Sequence, residues 1–416
     1  MNRTDKQLRR VVVTGMSAFT PIGNDWQTVL DHLSKGQSGV QHIQAWDEYD
    51  GLHAKLGAPV TDFNLPAHYT RKKTRSMGRV AQLAVRASEL ALEQAGLLEH
   101  PVIQSGRTGV AYGSSVGSTR ATADFTRMLY SKRLEGFDGN TYLKMMGHTT
   151  VVNIGLFFKT SGRIIPAVSA CTSGSQAIGF ACEAIRYGQQ DVMIAGGAEE
   201  LCPTEVAIFD TLYATSTRND EPQSTPRPYD KDRDGLVIGE GACSFILEEL
   251  DHALARGANI HAEIIGFATN SDGAHATQPT RSTMQQAMQM ALDDAGLSSH
   301  EIGYISAHAT ATETGDIAES HATYNMFGCS TPISSLKSYT GHTLGACGAI
   351  ESWVTIQMMN TGEFHPTLNL ESVDPRCAEL DYIVDSMREI DCDIAMNNNF
   401  AFGGINTSLI YKKWTN

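Results

Sequence analysis

The stretch Val168-Ser169-Ala170-Cys171-Thr172-Ser173-Gly174-Ser175 organises the chain. An apolar run, Ile164-Ile165-Pro166-Ala167-Val168, leads into it and reads as a short buried strand. From Cys171 to Tyr187, small and apolar residues recur at helical spacing (Ala177, Ile178, Ala181, Cys182, Ala184, Ile185), and Gly188 stops the run. Cys171 is therefore expected at a strand-to-helix turn, beside the helix N-terminus. Free backbone N–H groups and the positive end of the helix dipole favour a thiolate there. The small neighbours Ala170, Thr172, Ser173 and Gly174 leave room for a substrate to reach the sulfur. Taken alone, Cys171 also reads as one more buried cysteine.

Composition narrows the classes of function. The chain has 416 residues, 19% charged and 41% hydrophobic, which suits a folded protein with a large core and argues against disorder. A formal net charge of −14 disfavours bulk binding to nucleic acid. No apolar run reaches membrane-spanning length, and the first residues lack a signal-peptide core. The eight cysteines are scattered without a CxxC, giving neither a zinc pattern nor a disulfide framework. They fit free thiols in the reducing cytoplasm.

Further strands and helices alternate on both sides of Cys171. Val11-Val12-Val13-Thr14-Gly15 reads as a buried strand, followed by a helix from Trp26 to about Leu33 capped by Asn24 or Asp25. A basic cluster, Arg71-Lys72-Lys73-Thr74-Arg75 with Arg79, opens a helix that continues to Leu98. In an acidic chain it reads either as a solvated helix start or as a docking patch for an acidic partner. Arg127, Lys132, Arg133 and Lys144 form a looser basic set that reads as surface or as docking. Strands follow at Arg107–Gly113 and Asp191–Gly197, a long loop at 215–235, and a strand after Gly235. The run Ala262-Glu263-Ile264-Ile265-Gly266-Phe267-Ala268 then echoes Val11–Ala18, as though the pattern began again. The alternation predicts a duplicated α/β unit with largely parallel sheets covered on both faces.

Three later stretches place reactive residues in small, glycine-rich sequence. They are Ala307-His308-Ala309-Thr310-Ala311-Thr312-Glu313, Lys337-Ser338-Tyr339-Thr340-Gly341-His342, and Asn397-Asn398-Asn399-Phe400-Ala401-Phe402-Gly403-Gly404. His308, directly after a strand, also reads as a satisfied core histidine. Gly345, Ala346 and Gly348 let the helix after His342 pack very close to a neighbour.

These pieces together resemble the β-ketoacyl-[acyl-carrier-protein] synthases of the elongating Cys-His-His type. The ordered motifs Ser169-Ala170-Cys171, Gly196-Gly197-Ala198-Glu199, Arg227-Pro228-Tyr229-Asp230, Arg233-Asp234-Gly235, Ser271-Asp272 and Lys337 to His342 span essentially the whole chain. The resemblance implies a thiolase-like fold, two related α/β halves in a five-layer αβαβα arrangement. The half 1–257 would carry Cys171, and the half 258–416 would carry His308 and His342. It implies an acyltransferase that performs a decarboxylative Claisen condensation. An acyl chain moves from a carrier protein to Cys171, and malonyl-carrier protein extends it by two carbons. His308 and His342 would stabilise the enolate, and the N–H groups of Cys171 and Phe402 the later oxyanion. Lys337 would orient His308, held by Asp316 and Glu319, with Glu351 supporting the same network. Thr310 and Thr312 would bind the phosphopantetheine arm, which arrives on the carrier protein; no bound cofactor or metal is implied. Phe402 would gate the acyl pocket, lined with Phe400 and Gly403. Arg71, Lys72, Arg75, Lys132 and Arg133 would dock the acyl carrier protein. The usual state would be a homodimer, with a heterodimer with a related subunit as the other arrangement.

Some positions depart from the family pattern. Ala309 and Ala401 stand where glycine is usual, and Glu313 stands where proline is usual. They put substrate choice in question and leave room for an aryl or polyene chain outside housekeeping fatty-acid synthesis. A non-catalytic chain-length partner subunit is the alternative. Such partners generally lack the nucleophile that this chain retains.

Overall fold

The computed structural model describes residues 8–415. Its dominant feature is an eleven-stranded sheet in which one strand order occurs twice. The first set runs Val11–Phe19, Gly241–Glu249, Val192–Glu199, Thr108–Gly113, Ile164–Ala167. The second runs Ala262–Ser271, Ile405–Lys413, Ile394–Ala401, Tyr304–Ser306, Pro332–Ser334, and ends on Asp381–Tyr382. In each set the first two pairings are antiparallel and the next two parallel. The sets meet through a short antiparallel contact, Val12 opposite Glu263 and Val13 opposite Ala262.

The expectation of largely parallel sheets is corrected here. Antiparallel pairings are as frequent as parallel ones. Ile394–Ala401 and Ile405–Lys413 form a hairpin across the Phe402–Gly404 turn, and a hairpin needs no crossover helix. Gly241–Glu249 likewise enters after a long connection rather than a covering helix.

Five layers follow from side-chain alternation along the strands. Met193 and Ala195 face a central core shared with Ala177, Ile178 and Ile185 of helix Ser173–Arg186 and Ile350, Trp353 and Val354 of helix Cys347–Thr361. Their neighbours Val192 and Ile194 face the opposite way, against helices Arg79–Gln94 and Thr149–Phe158. In the second set Ala395, Leu409 and Tyr411 join the central core, while Met396 and Ile410 pack against Met288 and Ala322 of helices Arg281–Ala295 and Glu313–Phe327. The two central helices thus lie between the sheet halves.

Local signals place the ends of elements. Asp25 caps helix Trp26–Lys35, its carboxylate accepting from the Thr28 N–H at 3.0 Å. The basic helix expected to continue to Leu98 is broken instead. Arg71–Thr74 makes one turn, and a second helix runs Arg79–Gln94. At the break, Glu200 accepts the Val80 N–H at 3.1 Å, and a Cβ on Gly78 would lie 2.5 Å from Ser118.

The small residues after His342 have a definite purpose. A Cβ on Gly345 would lie 2.7 Å from both Glu199 Oε2 and the Ser115 nitrogen. A Cβ on Gly174 would lie 2.9 Å from the Gly345 carbonyl oxygen and 3.2 Å from Ala349 Cβ. The Cys171 helix and the His342 segment therefore touch backbone to backbone. Gly174→Ala is expected to cost about 1–3 kcal/mol by overpacking. Urea unfolding checks this, and an unchanged midpoint would mean the two helices have slack.

Candidate active site

Cys171 sits in the short 3₁₀ turn Ala170–Thr172, directly before helix Ser173–Arg186. The strand-turn-helix order holds, but the strand Ile164–Ala167 expected to be buried is an edge strand with Ile164 and Pro166 exposed, because it has a neighbour on one side only. The sulfur is buried, with the residue 3% exposed. His342 follows the positive-φ turn at Gly341 (φ 64°), and its Nε2 lies 2.9 Å from Cys171 Sγ. His308 stands just past strand Tyr304–Ser306, its ring 5.3 Å from that of His342 and nearly perpendicular to it. Ligating atoms of Cys171, His308 and His342 all lie within 4.8 Å of one another. By donor type and spacing this is also the one group among the described residues that could hold a thiophilic metal ion.

Electrostatics correct one expectation. Burial pushes the Cys171 thiol up to about 11. The N–H groups of Phe402 and Cys171 and the charge of Lys337 pull the other way, and burial outweighs them. The helix start does not by itself make a resting thiolate. Burial, reinforced by Lys337, also holds both imidazoles well below their usual value, so they are neutral. Neither Nδ1 has a hydrogen-bond partner among the described residues. No neighbour therefore locks either ring into one tautomer.

The support network differs from the expected one. Lys337 is paired with Glu351, not with Asp316 or Glu319. Burial opposes the ammonium, and Glu351 overcomes it, so the lysine pKa is raised. Glu351 also accepts from Asn399 Nδ2 at 2.6 Å. Glu319 instead accepts the backbone N–H groups of His308 and Ala309, each at 2.7 Å, and so holds the His308 turn. Asp316 accepts the Tyr229 N–H at 2.7 Å and lies 3.4 Å from Arg233. Helix Glu313–Phe327 presents both acids, one turn apart, but to different neighbours.

A cavity of about 340 Å³ opens over the cysteine. Thr310 and Thr312 line it, hydroxyl to hydroxyl at 2.9 Å, with Phe400, Phe402 and Glu319. Gly404 lines the wall, whereas Gly403 does not; its N–H holds the loop to the Ala276 carbonyl at 2.8 Å. Of the three departures placed at the mouth and gate, only Ala401 is in the wall. Ala309 is buried behind it, and Glu313 is turned outward onto Arg376. Asp272, one of the ordered motif residues, lines the cavity too, with His275 and Thr277 from a polar loop that carried no distinguishing signal. Cys347 was also missed: its thiol donates to the Cys171 carbonyl at 3.2 Å. Its place in Gly345-Ala346-Cys347-Gly348, a run read only as close packing, was the available signal.

The basic residues divide. Arg71, Lys72, Arg75 and Lys132 are exposed and form no ion pair among the described residues, and Arg133 is exposed with Glu135 at 3.6 Å. Arg79 is a structural residue, bidentate to the buried Glu240.

A buried thiol, two neutral imidazoles and two backbone amides at one point are the groups that acyl transfer through a cysteine thioester needs. Comparison with known proteins carries this further. The family description "Beta-ketoacyl synthase, N-terminal domain" matches residues 8–253, and "Beta-ketoacyl synthase, C-terminal domain" matches residues 261–371. The chain belongs to the β-ketoacyl synthase family, whose fold is thiolase-like. It is 37% identical to a 3-oxoacyl-[acyl-carrier-protein] synthase 2 of Synechocystis sp. over 98% of each chain. A crystal structure of a β-ketoacyl synthase from Burkholderia phymatum superposes with a TM-score of 0.97 at 57% identity, covering 98% of this chain and all of that one. A type II polyketide ketosynthase, solved with its acyl-carrier protein and bound to the hexaketide, superposes at 0.87 with 31% identity over 98% of this chain and all of its own.

Proposed function

We propose that the protein condenses an acyl thioester held on Cys171 with a malonyl thioester delivered by an acyl carrier protein. The observation that carries this is the 2.9 Å contact between His342 Nε2 and Cys171 Sγ, with His308 beside them in the same cavity. His342 Nε2 takes the thiol proton as sulfur attacks the incoming thioester, and returns it to the departing phosphopantetheine thiol. The acyl group is left on Cys171. The malonyl thioester then occupies the cavity, its arm against Thr310 and Thr312. Its carboxylate leaves as carbon dioxide, and the electron pair moves into an enolate. His308 and His342, each with hydrogen on Nε2, donate to the enolate oxygen. The unlocked tautomers support both duties of His342. The enolate carbon attacks the Cys171 thioester, whose oxyanion meets the N–H groups of Phe402 and Cys171. Collapse expels the Cys171 thiolate, which is reprotonated, and releases the β-ketoacyl carrier protein.

Lys337 and Glu351 position the site without touching substrate. We assign Phe402 as the gate, because it is partly exposed and stacks edge-on against Phe209 at 5.7 Å. Arg71, Lys72, Arg75, Lys132 and Arg133 form the reading's carrier-protein surface, since acidic carriers are steered by exposed cations. A second copy pairs along strand Ile164–Ala167, which is a sheet edge flanked by exposed Leu156, Ile164 and Val168. The halves 1–257 and 258–416 are the two units of a duplication, a reading supported by the repeated strand order. Eight unpaired cysteines support a cytoplasmic site of action. Among the described residues, no helix is long and apolar enough to cross a membrane.

Incubation with acyl- and malonyl-carrier protein, read by mass spectrometry, should show the acyl adduct and a product two carbons longer. No adduct with any saturated, unsaturated or aryl-enoyl chain would sink the reading. The thiol's raised pKa makes a second expectation. Alkylation by iodoacetamide should speed up about tenfold per pH unit from 7 towards 11, because the thiolate fraction grows by that factor. A rate flat across pH 7–9 would instead mean that Cys171 and His342 rest as an ion pair.

A further inference from the structure

Glu205 is the third residue of helix Pro203–Asp210 and is 1% exposed. Neither of its carboxyl oxygens has a hydrogen-bond partner among the described residues. The acids around the cavity contrast with it. Glu199 accepts from Ser114 and Ser115 and from the Gly345 N–H, while Glu319 and Glu351 are bonded as described above. Burial raises the Glu205 pKa well above the carboxylate range, and the charges of Glu199, Cys202 and Glu200 push the same way, outweighing the backbone N–H of Cys202, which pulls it down. The group is a neutral acid whose O–H donor is unused. A buried polar group left unsatisfied destabilises the fold, so its presence here asks for a partner supplied from outside.

The helix places that partner. Phe209, four residues on and therefore on the same face, lines the cavity with Cys171. Val206, beside Glu205, packs in one apolar cluster with Cys171, Leu344 and Trp46. The Phe209–Phe402 edge contact stands on this same wall. Glu205 itself lies behind the cavity lining, so an acyl chain that displaces Phe402 and Phe209 would reach the face that Phe209 and Glu205 share. An all-carbon chain there would leave the acid unpaired, whereas an oxygen on the chain would pair it.

We infer that Glu205 is a specificity-determining residue, its carboxyl hydrogen-bonding to a hydroxyl or carbonyl oxygen carried on the acyl chain of Cys171. The inference rests on the condensing-enzyme reading. Carrier-bound hexanoyl and octanoyl chains, each paired with its ω-hydroxy form, test it. Initial rates of adduct formation on Cys171 are measured by mass spectrometry for the native protein, Glu205→Leu and Glu205→Gln. The native protein should favour a hydroxylated chain by at least about tenfold, because a site built to bond a hydroxyl rejects the analogue lacking it. Glu205→Leu should reverse the preference, and Glu205→Gln, which keeps a donor and an acceptor, should retain it. A merely structural role would slow paired chains equally and leave the ratio alone. A native preference for the plain chains, or a Glu205→Leu ratio equal to the native one, overturns the inference while leaving the condensing reading intact. Absence of an adduct with every chain overturns both. The native ratio decides even if Glu205→Leu does not fold.

Discussion

Cys171→Ala is expected to abolish chain extension, by at least about a thousandfold or ~4 kcal/mol of activation free energy. The methyl group cannot form the thioester, and no other side chain in the cavity substitutes. Cys347 is close, but its sulfur is directed at the Cys171 carbonyl and its pKa is raised well above the thiol range by burial. The variant should nevertheless release carbon dioxide from malonyl-carrier protein, since both imidazoles remain. His308→Ala should behave in the opposite way. It should keep the acyl adduct and lose decarboxylation by about a hundred- to a thousandfold, the usual cost of one oxyanion donor. Mass spectrometry of the protein and labelled carbon dioxide release measure the two halves separately. If Cys171→Ala still elongated acyl chains, the covalent step would be wrong. If His308→Ala decarboxylated at the native rate, the enolate would be held by other groups.

Breaking the Lys337–Glu351 pair should be the largest single loss of stability, about 3–5 kcal/mol for Lys337→Met or Glu351→Met. Both side chains are fully buried, at 1% and 2% exposed, so removing one leaves the other charge without solvent. Asn399 retains a hydrogen bond to Glu351 but brings no compensating charge. The double variant Lys337→Met, Glu351→Met removes both charges and should regain most of the loss, since an apolar pair of similar volume needs no desolvation. Chemical denaturation of the three variants gives the coupling directly. Additive losses would mean that the two charges act independently. The double variant should also show where activity depends on the lysine's charge, because Lys337 lowers the pKa of Cys171, His308 and His342.

The folded chain departs from the sequence reading mostly where distant segments meet. The strand, turn and helix around Cys171 were legible, because small residues and a stop glycine act within one stretch. The order of later motifs also identified His308 and His342. The basic cluster at 71–79 was legible as charge but not as use. Arg79 differs from Arg71 and Lys72 only in facing Glu240, which lies 161 residues away. The triple asparagine at 397–399 forms internal hydrogen bonds that its sequence does not show. Asn397 reaches the Gly348 carbonyl at 3.1 Å, Asn398 accepts from Ser408 at 2.7 Å, and Asn399 bonds Glu351.

By itself the sequence carried the α/β repeat and the helix that starts at Cys171 in residue type and local spacing, while the reading of Cys171, the two histidines and the lysine as a site came from the resemblance of the ordered motifs to the β-ketoacyl synthases. Tertiary structure alone decided which acid pairs with Lys337, how high the Cys171 pKa stands, and which departures reach the cavity. It also left Glu205 buried without a partner. Each of these depends on burial and on contacts between remote segments, such as the 171 residues separating Cys171 from the ring that touches it. No local pattern encodes the water that folding removes from those groups.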